Sequence, residues 1–304
     1  MPTVPVSVII PAYNRADLLP RALASVAAQA PWRPAEVIVV DDCSADDTSA
    51  VARAHGATVI RHEVNRGEAG ARNTAVAHAT GEWLALLDSD DEWIAGHLER
   101  IWNARGDHVL VAGSALTKGE SAPRLFGHAS TEPVVLDSPR PLIFPENFIP
   151  VSASMVRKDV LVDAGGFRAL PFGADLDVWI RVLERGTGLQ LPEPGAWYHI
   201  HDSQITVDKS GLWSGRDEVW AAYAERPWFS RSAARKLRAA TFWDSRPRAG
   251  AAAPAPAGAW LASAAKDPWR VIGLPELLRW RRSKRARIPA AAAFATRAAG
   301  AQAA

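Results

Sequence analysis

Apolar residues in the first hundred positions fall into short unbroken runs separated by segments of helical spacing. Val6 to Ile10 reads as a β-branched strand closed by Pro11, and Asp17 as the N-cap of a helix carrying Leu18, Leu19, Leu23 and Val26 on one face. Val37 to Val40 gives a second strand, ending in Asp41-Asp42. Ser44, Asp46, Asp47 and Thr48 then open a helix over Ser49 to His55. Thr58 to Arg61 predicts a third strand, Gly70 to Ala79 a third helix and Trp83 to Leu87 a fourth strand. Strands apolar on both faces and alternating with helices indicate an α/β fold, a mostly parallel sheet covered on both sides.

Beyond Trp93 the pattern is mixed. Val109 to Ala112, Val151 to Val156 and Tyr198 to Ile200 read as strands and Leu176 to Leu183 as a helix, with a Pro-, Ser- and Gly-rich loop over Gly119 to Pro150. After about Ser210 the chain turns rich in Ala, Arg and Trp. This suggests a helical extension over 211–248, an Ala/Pro linker over 249–258 and a basic, Trp-containing tail over 259–304.

The fourth strand ends in Asp88-Ser89-Asp90-Asp91, three carboxylates in four positions. Unpaired, that charge would be costly to bury, and the carboxylates raise one another's pKa. A divalent cation resolves the conflict. Carboxylate oxygens suit Mg²⁺ or Mn²⁺, which commonly take further ligands from a substrate's phosphates. The alternative is an acidic turn capping the next helix.

Three other segments carry candidate chemistry. Pro11-Ala12-Tyr13-Asn14 places an aromatic ring and an amide at a strand end, suited to holding a planar base, or is an ordinary strand-to-helix turn. Asp41 and Asp42 end a central strand, where a carboxylate can accept the N3–H of a uracil or thymine ring. Ser44, Asp46 and Asp47 are explained by helix capping. Asn65-Arg66-Gly67 through Ala71-Arg72-Asn73 puts Arg72 early in a helix, as a diphosphate contact or a surface arginine.

Taken in order, these segments resemble the family 2 glycosyltransferases of the GT-A fold. The resemblance rests on Val6-Ser7-Val8-Ile9-Ile10-Pro11-Ala12-Tyr13-Asn14, Val39-Val40-Asp41-Asp42, Asn65-Arg66-Gly67 with Ala71-Arg72-Asn73, and Gly81-Glu82-Trp83 leading to Leu87-Asp88-Ser89-Asp90-Asp91. It is clear from Val4 to Leu98 and weaker to about Thr206. It implies a Rossmann-like GT-A domain over 1–210, with a nucleotide-binding half over 1–98 and an acceptor half over 99–210.

The implied activity is inverting transfer of a sugar from a nucleotide-diphosphate donor, usually UDP-linked, to an acceptor hydroxyl on a carbohydrate, glycolipid or similar molecule. By motif position Pro11, Tyr13 and Asp42 would line the base, with Ala12, Asn14, Asp41 and Ser89 as further nucleotide-sugar contacts. Arg72 would approach the nucleotide or its phosphates, and Asp88 the ribose. Asp90 would hold Mn²⁺ or Mg²⁺, with Asp91 and His201 as further candidates. The family's general base falls on Asp175 in Gly173-Ala174-Asp175-Leu176-Asp177-Val178-Trp179, with Asp177 as the alternative, while Ala174 stands where the family usually carries Glu.

Composition narrows the partners. A net charge of +2 over 304 residues, with no recognised module, argues against a nucleic-acid partner. A single cysteine, Cys43, excludes an intrachain disulfide, and no apolar run reaches membrane-spanning length. The expectation is a cytoplasmic protein. The basic stretch Arg279-Trp280-Arg281-Arg282 leaves peripheral association with the inner face of a membrane open. Two rival readings stand beside the enzyme: a non-catalytic nucleotide-sugar binder on the same fold, and a membrane-surface protein acting through its basic tail.

Overall fold

The computed structural model describes residues 2–119, 125–127, 131–139, 142, 149–201, 218–229 and 293. The 249–258 linker and most of the basic tail expected from composition lie outside the described residues, as does most of the 211–248 extension.

Ten strands form one sheet. They are β1 (Thr3–Ala12), β2 (Arg33–Asp41), β3 (Thr58–Arg61), β4 (Trp83–Leu86), β5 (Glu92–Trp93), β6 (Leu110–Lys118), β7 (Leu125–Phe126), β8 (Val134–Leu136), β9 (Ser154–Arg157) and β10 (Gly188–His199). The helices are α1 (Leu19–Ala27), α2 (Thr48–Ala54), α3 (Gly67–His78), α4 (His97–Ala104), α5 (Lys158–Asp163) and α6 (Ala174–Leu183). The sheet runs β3-β2-β1-β4-β9-β6-β10-β5, with β7 on β6 and β8 on β10. β1, β2, β3 and β4 are mutually parallel, and β6 is parallel to β10. β9 is antiparallel to both β4 and β6, so six strands point the same way and β9 is threaded between them in reverse.

Period-two alternation assigns each strand's side chains to two cores. Ile9, Ile38, Leu84 and Leu86 pack on one face with residues from α3, α5 and α6. Val8, Ile10, Val39 and Ala85 pack on the other with α1, α2 and α4. Each fully buried Leu or Ile here contributes about 1.5–3 kcal/mol. Trp179, 0% exposed, anchors α6 in the first core, and Val219, Trp220 and Tyr223 from the 218–229 segment join it.

Several boundaries differ from the sequence reading. β1 continues through Pro11, whose missing N–H is tolerated at a strand end. Asp17 does not cap α1: Leu18 is the N-cap residue and makes no side-chain cap. β6 and β10 are far longer than their apolar cores suggested, because each borrows polar residues once it is paired on both sides.

Candidate functional site

The aligned strands bring their C-terminal ends to one rim, and the acidic and aromatic turns noted in the sequence all lie there. The turn after β1 is stapled to the turn after β2. Asn14 N–H donates to Ser44 Oγ (2.9 Å), Ala45 N–H to Asn14 Oδ1 (2.8 Å), Arg15 N–H to Thr48 Oγ1 (2.8 Å) and Ala16 N–H to Asp46 Oδ2 (3.0 Å). Asn14 reaches this position at φ 52°, a left-handed conformation that Asn tolerates better than most residues. The staple leaves Tyr13 48% exposed, with Pro11 half-buried beside it and Ala12 buried.

The paired acids after β2 divide. Asp41 is fully buried and consumed internally: it accepts from Ser44 N–H (2.8 Å), the Ser49 hydroxyl and Arg61 Nη1 (2.6 Å). Those donors hold its carboxylate below the usual range although burial pushes it upward. It braces the loop instead of facing a base. Asp42 Oδ1 accepts from Arg66 N–H (2.8 Å) and His62 Nδ1 (2.6 Å).

The strand-β4 cluster also separates into roles. Arg72 Nη2 lies 2.6 Å from Asp88 Oδ1 and also pairs with Glu68. Its guanidinium sits 5.3 Å from the centroid of the Phe167 ring. Burial alone would make Arg72 easier to deprotonate, but Glu68, Asp88 and Asp175 outweigh it and hold the charge firmly. Arg72 is therefore a buried counter-ion to Asp88 and Glu68. Asp88 is pushed up to about 6, chiefly by burial, although its side chain keeps 27% exposure. Ser89 is buried.

Asp91 is 1% exposed, with Oδ2 accepting from Ser152 Oγ (2.5 Å) and Oδ1 from His199 N–H (3.1 Å). Burial pushes this carboxyl well up. Each oxygen thus helps to tie the turn after β4 to β10 and to the turn before β9. Asp90 stands differently. Its Oδ2 lies 3.0 Å from His201 Nε2 and 3.7 Å from Arg15 Nη2, while Arg21 Nη2 holds its main-chain carbonyl at 2.6 Å. A carboxylate suits Mn²⁺ or Mg²⁺, an imidazole beside it favours Mn²⁺ of the two, and so small a protein set leaves positions for phosphate and water. No group of three or more His, Cys, Asp or Glu side chains is placed to hold a metal by itself among the described residues.

On α6 the two candidate bases contrast. Asp175 is half-buried in the first turn, with Oδ1 accepting from Leu176 N–H (2.8 Å), and close enough to Arg72 to steady its charge. Asp177 is 4% exposed and engaged by Arg181 Nη2 (2.6 Å), Arg168 Nη1 (3.4 Å) and the Tyr223 hydroxyl (2.7 Å). It is part of the packing that holds α6. Sequence reasoning missed His62, Arg61, Glu68, Arg15, Phe167 and Ser152. Arg61-His62 ends β3 beside the acidic end of β2, and strand adjacency was the signal that could have found them.

A mostly parallel sheet with this acidic turn beside its central strands defines a GT-A-fold protein. Residues 7–175 match the family model described as Glycosyl transferase family 2. The chain is 38% identical over 230 residues to an uncharacterized glycosyltransferase of Haemophilus influenzae, covering 72% of this chain and 77% of that one. It is 32% identical over 207 residues to the succinoglycan biosynthesis protein ExoU of Rhizobium meliloti, covering 61% and 59% respectively. The matches span only 59% of ExoU's length and 28% of that of ExoO from the same organism. Among solved structures, S. aureus TarS in complex with UDP-GlcNAc superposes with a TM-score of 0.62 at 19% identity, covering 78% of this chain and 72% of TarS. The mannosyltransferase PcManGT from Pyrobaculum calidifontis, in complex with GDP-Man and Mn²⁺, gives 0.59 at 21% identity, covering 93% and 86%. The chain belongs to glycosyl transferase family 2. No described helix is long and apolar enough to cross a membrane.

Proposed function

We propose that the chain transfers a sugar, with inversion, from a UDP-linked donor to a hydroxyl on a carbohydrate or glycolipid acceptor in polysaccharide assembly. One observation carries this reading: Arg72 is hydrogen-bonded to Asp88 while its guanidinium packs on Phe167, in the segment that leads into α6 and Asp175. The acidic end of β4 and the first turn of α6 thus belong to one charged site, as a donor pocket beside an acceptor base requires. Neighbouring structures bound to UDP-GlcNAc and to GDP-Man with Mn²⁺ support a nucleotide-sugar donor and a divalent cation. Names such as succinoglycan and teichuronic acid biosynthesis among the relatives support the acceptor class.

In this reading the exposed Tyr13 ring stacks on the base, with Pro11, Ala12 and Asn14 shaping the turn beneath it. Asp42 accepts the base's imino N–H. Asp88, with Ser89, meets the ribose. Asp90, with His201 beside it, would hold the Mn²⁺ or Mg²⁺, which when bound would supply positive charge to stabilise the departing diphosphate. Arg15, beside Asp90, adds a fixed cation on the same side. Asp175 takes the proton of the attacking hydroxyl, a role typically worth about 10²–10⁴-fold. Asp177 is not proposed, because its carboxylate already serves Arg181, Arg168 and Tyr223.

The deciding variant is Asp175→Asn, assayed on a panel of nucleotide sugars with Mn²⁺ alongside calorimetric UDP binding. Turnover should fall by about 10²–10⁴-fold while UDP affinity stays unchanged. Full turnover would remove Asp175 from the role. Ala174, at the start of α6 where the family usually carries Glu, keeps a second reading in play: a nucleotide-sugar binder without catalysis. Neither transfer nor donor hydrolysis by the wild type would favour it.

A further inference from the structure

His62 stands immediately after β3, is 5% exposed, and has both ring nitrogens engaged. Nδ1 lies 2.6 Å from Asp42 Oδ1 and Nε2 lies 2.9 Å from Thr74 Oγ1 on α3. Its main-chain N–H donates to Asp41 O at 2.9 Å, so backbone and ring are pinned together. The donor inventory fixes the direction at the Asp42 end. A carboxylate can only accept, so Nδ1 donates to Asp42, while Nε2 meets the Thr74 hydroxyl, a group able to donate or accept.

Asp42 Oδ1 receives a second donor, Arg66 N–H, at 2.8 Å. One oxygen is thereby saturated from inside the fold. Oδ2 has no hydrogen-bond partner among the described residues. Two donors on a single oxygen also stop the carboxylate from swinging about its Cβ–Cγ bond, which an exposed aspartate would do freely.

We infer that His62 is a positioning residue for nucleobase recognition, holding Asp42 so that one oxygen is anchored in the protein and the other reads an imino N–H on the donor's base. The inference rests on the proposed contact between Asp42 and the base. An acceptor fixed in place rewards uracil (N3–H) and guanine (N1–H). It penalises cytosine, whose N3 presents a lone pair. A site built to hydrogen-bond one edge rejects the analogue lacking it far more strongly when its own groups cannot rearrange. His62 thus serves discrimination more than raw affinity, because a loosened Asp42 could turn away from cytosine at little cost.

The test is calorimetric binding of UDP, GDP and CDP to the full chain in one Mn²⁺-containing buffer. The diphosphate and the cation cancel in the ratio of CDP dissociation constant to that of the tighter of UDP and GDP. His62→Leu should shrink this ratio about tenfold, the scale of a charge-assisted hydrogen bond. His62→Asn, whose amide N–H can replace Nδ1–H, should restore most of it. A purely structural loss would weaken all three nucleotides together. Should His62→Leu not fold, Thr74→Val decides, since it releases the far anchor of the ring and should shrink the ratio about two- to threefold.

An unchanged ratio in folded His62→Leu, or in Thr74→Val if that variant must stand in, overturns the inference. Asp42→Asn separates the two layers. If it alters the ratio while the His62 variants do not, the base contact survives and only the role of His62 falls. If Asp42→Asn leaves the ratio untouched, the base contact itself is wrong.

Discussion

The Tyr223 hydroxyl donates to Asp177 Oδ1 at 2.7 Å, joining the 218–229 segment to the helix that carries Asp175. Asp177 also pairs with Arg181, and both side chains are about 95% buried (4% and 5% exposed). Removing one member of a buried ion pair leaves the other charge uncompensated, at about 3–5 kcal/mol. Asp177→Ala should therefore unfold or severely destabilise the protein in urea titrations. Tyr223→Phe should cost only about 1–2 kcal/mol. A stable Asp177→Ala variant would show that the pair is dispensable.

A second expectation concerns acid. His97 is 1% exposed, packs edge-on against Trp93 with ring centroids 5.2 Å apart, and finds no hydrogen-bond partner for either nitrogen among the described residues. Burial, with the charge of Arg100 nearby, pushes its pKa well below the ordinary 6.5. The folded state thus refuses a proton that the unfolded chain accepts. This contribution to stability is present above about pH 6.5 and is lost as pH falls through the depressed folded value. The slope should approach about 1.4 kcal/mol per pH unit for this one group. In denaturant midpoints measured from pH 7 to 5, His97→Leu should show a shallower decline than wild type.

Gly195 offers a steric test. A Cβ built there would lie 2.3 Å from His97 Nδ1, and the ring cannot retreat because it is fully packed. Gly195→Ala should cost about 1–3 kcal/mol through overpacking, with a lowered melting temperature. A melting point equal to wild type would mean that α4 can shift away from β10 more easily than its packing suggests.

Asp90 invites a cleaner functional experiment than its neighbours. Arg21 holds the main-chain carbonyl of this residue at 2.6 Å, an anchor of the turn that survives loss of the Asp90 side chain. Asp90→Ala should keep the wild-type melting temperature while losing the Mn²⁺-dependent part of UDP affinity. Undiminished affinity for UDP in the presence of Mn²⁺ would remove Asp90 from the cation site.

How far the sequence could be read depends on the range of the interactions involved. The strands from Val6 to Leu87 announce themselves because a strand buried on both faces must be apolar throughout, and β3 was located to the residue. β10 did not, since Gln190, Pro192, Glu193 and Pro194 interrupt its apolar pattern and its pairing with β6 shifts register there. Within the site, Asp88 and Asp90 stood out by local density of charge. The division of labour between Asp41 and Asp42, or between Asp175 and Asp177, is invisible locally. It is decided by Arg61 and His62, each 20 residues from its acid, and by Tyr223, 46 residues from Asp177. The pairing of Arg72 with Asp88 likewise depends on α3 lying against the sheet.

The reversed run of β9 has a consequence for engineering. With every neighbour pointing the same way, the connections alternate between a chemically committed rim and one that merely returns the chain. Not all returns are equal. The turn at Thr80-Gly81 is tied to Glu36 and Ser7, and a side chain at Gly81 would strike the Ser7 backbone. The turn at His55-Gly56-Ala57 has open space around Gly56. It is the natural splice point for a fluorophore-bearing insert or new chain termini, far along the strands from the acidic rim and unconnected to any of its hydrogen bonds.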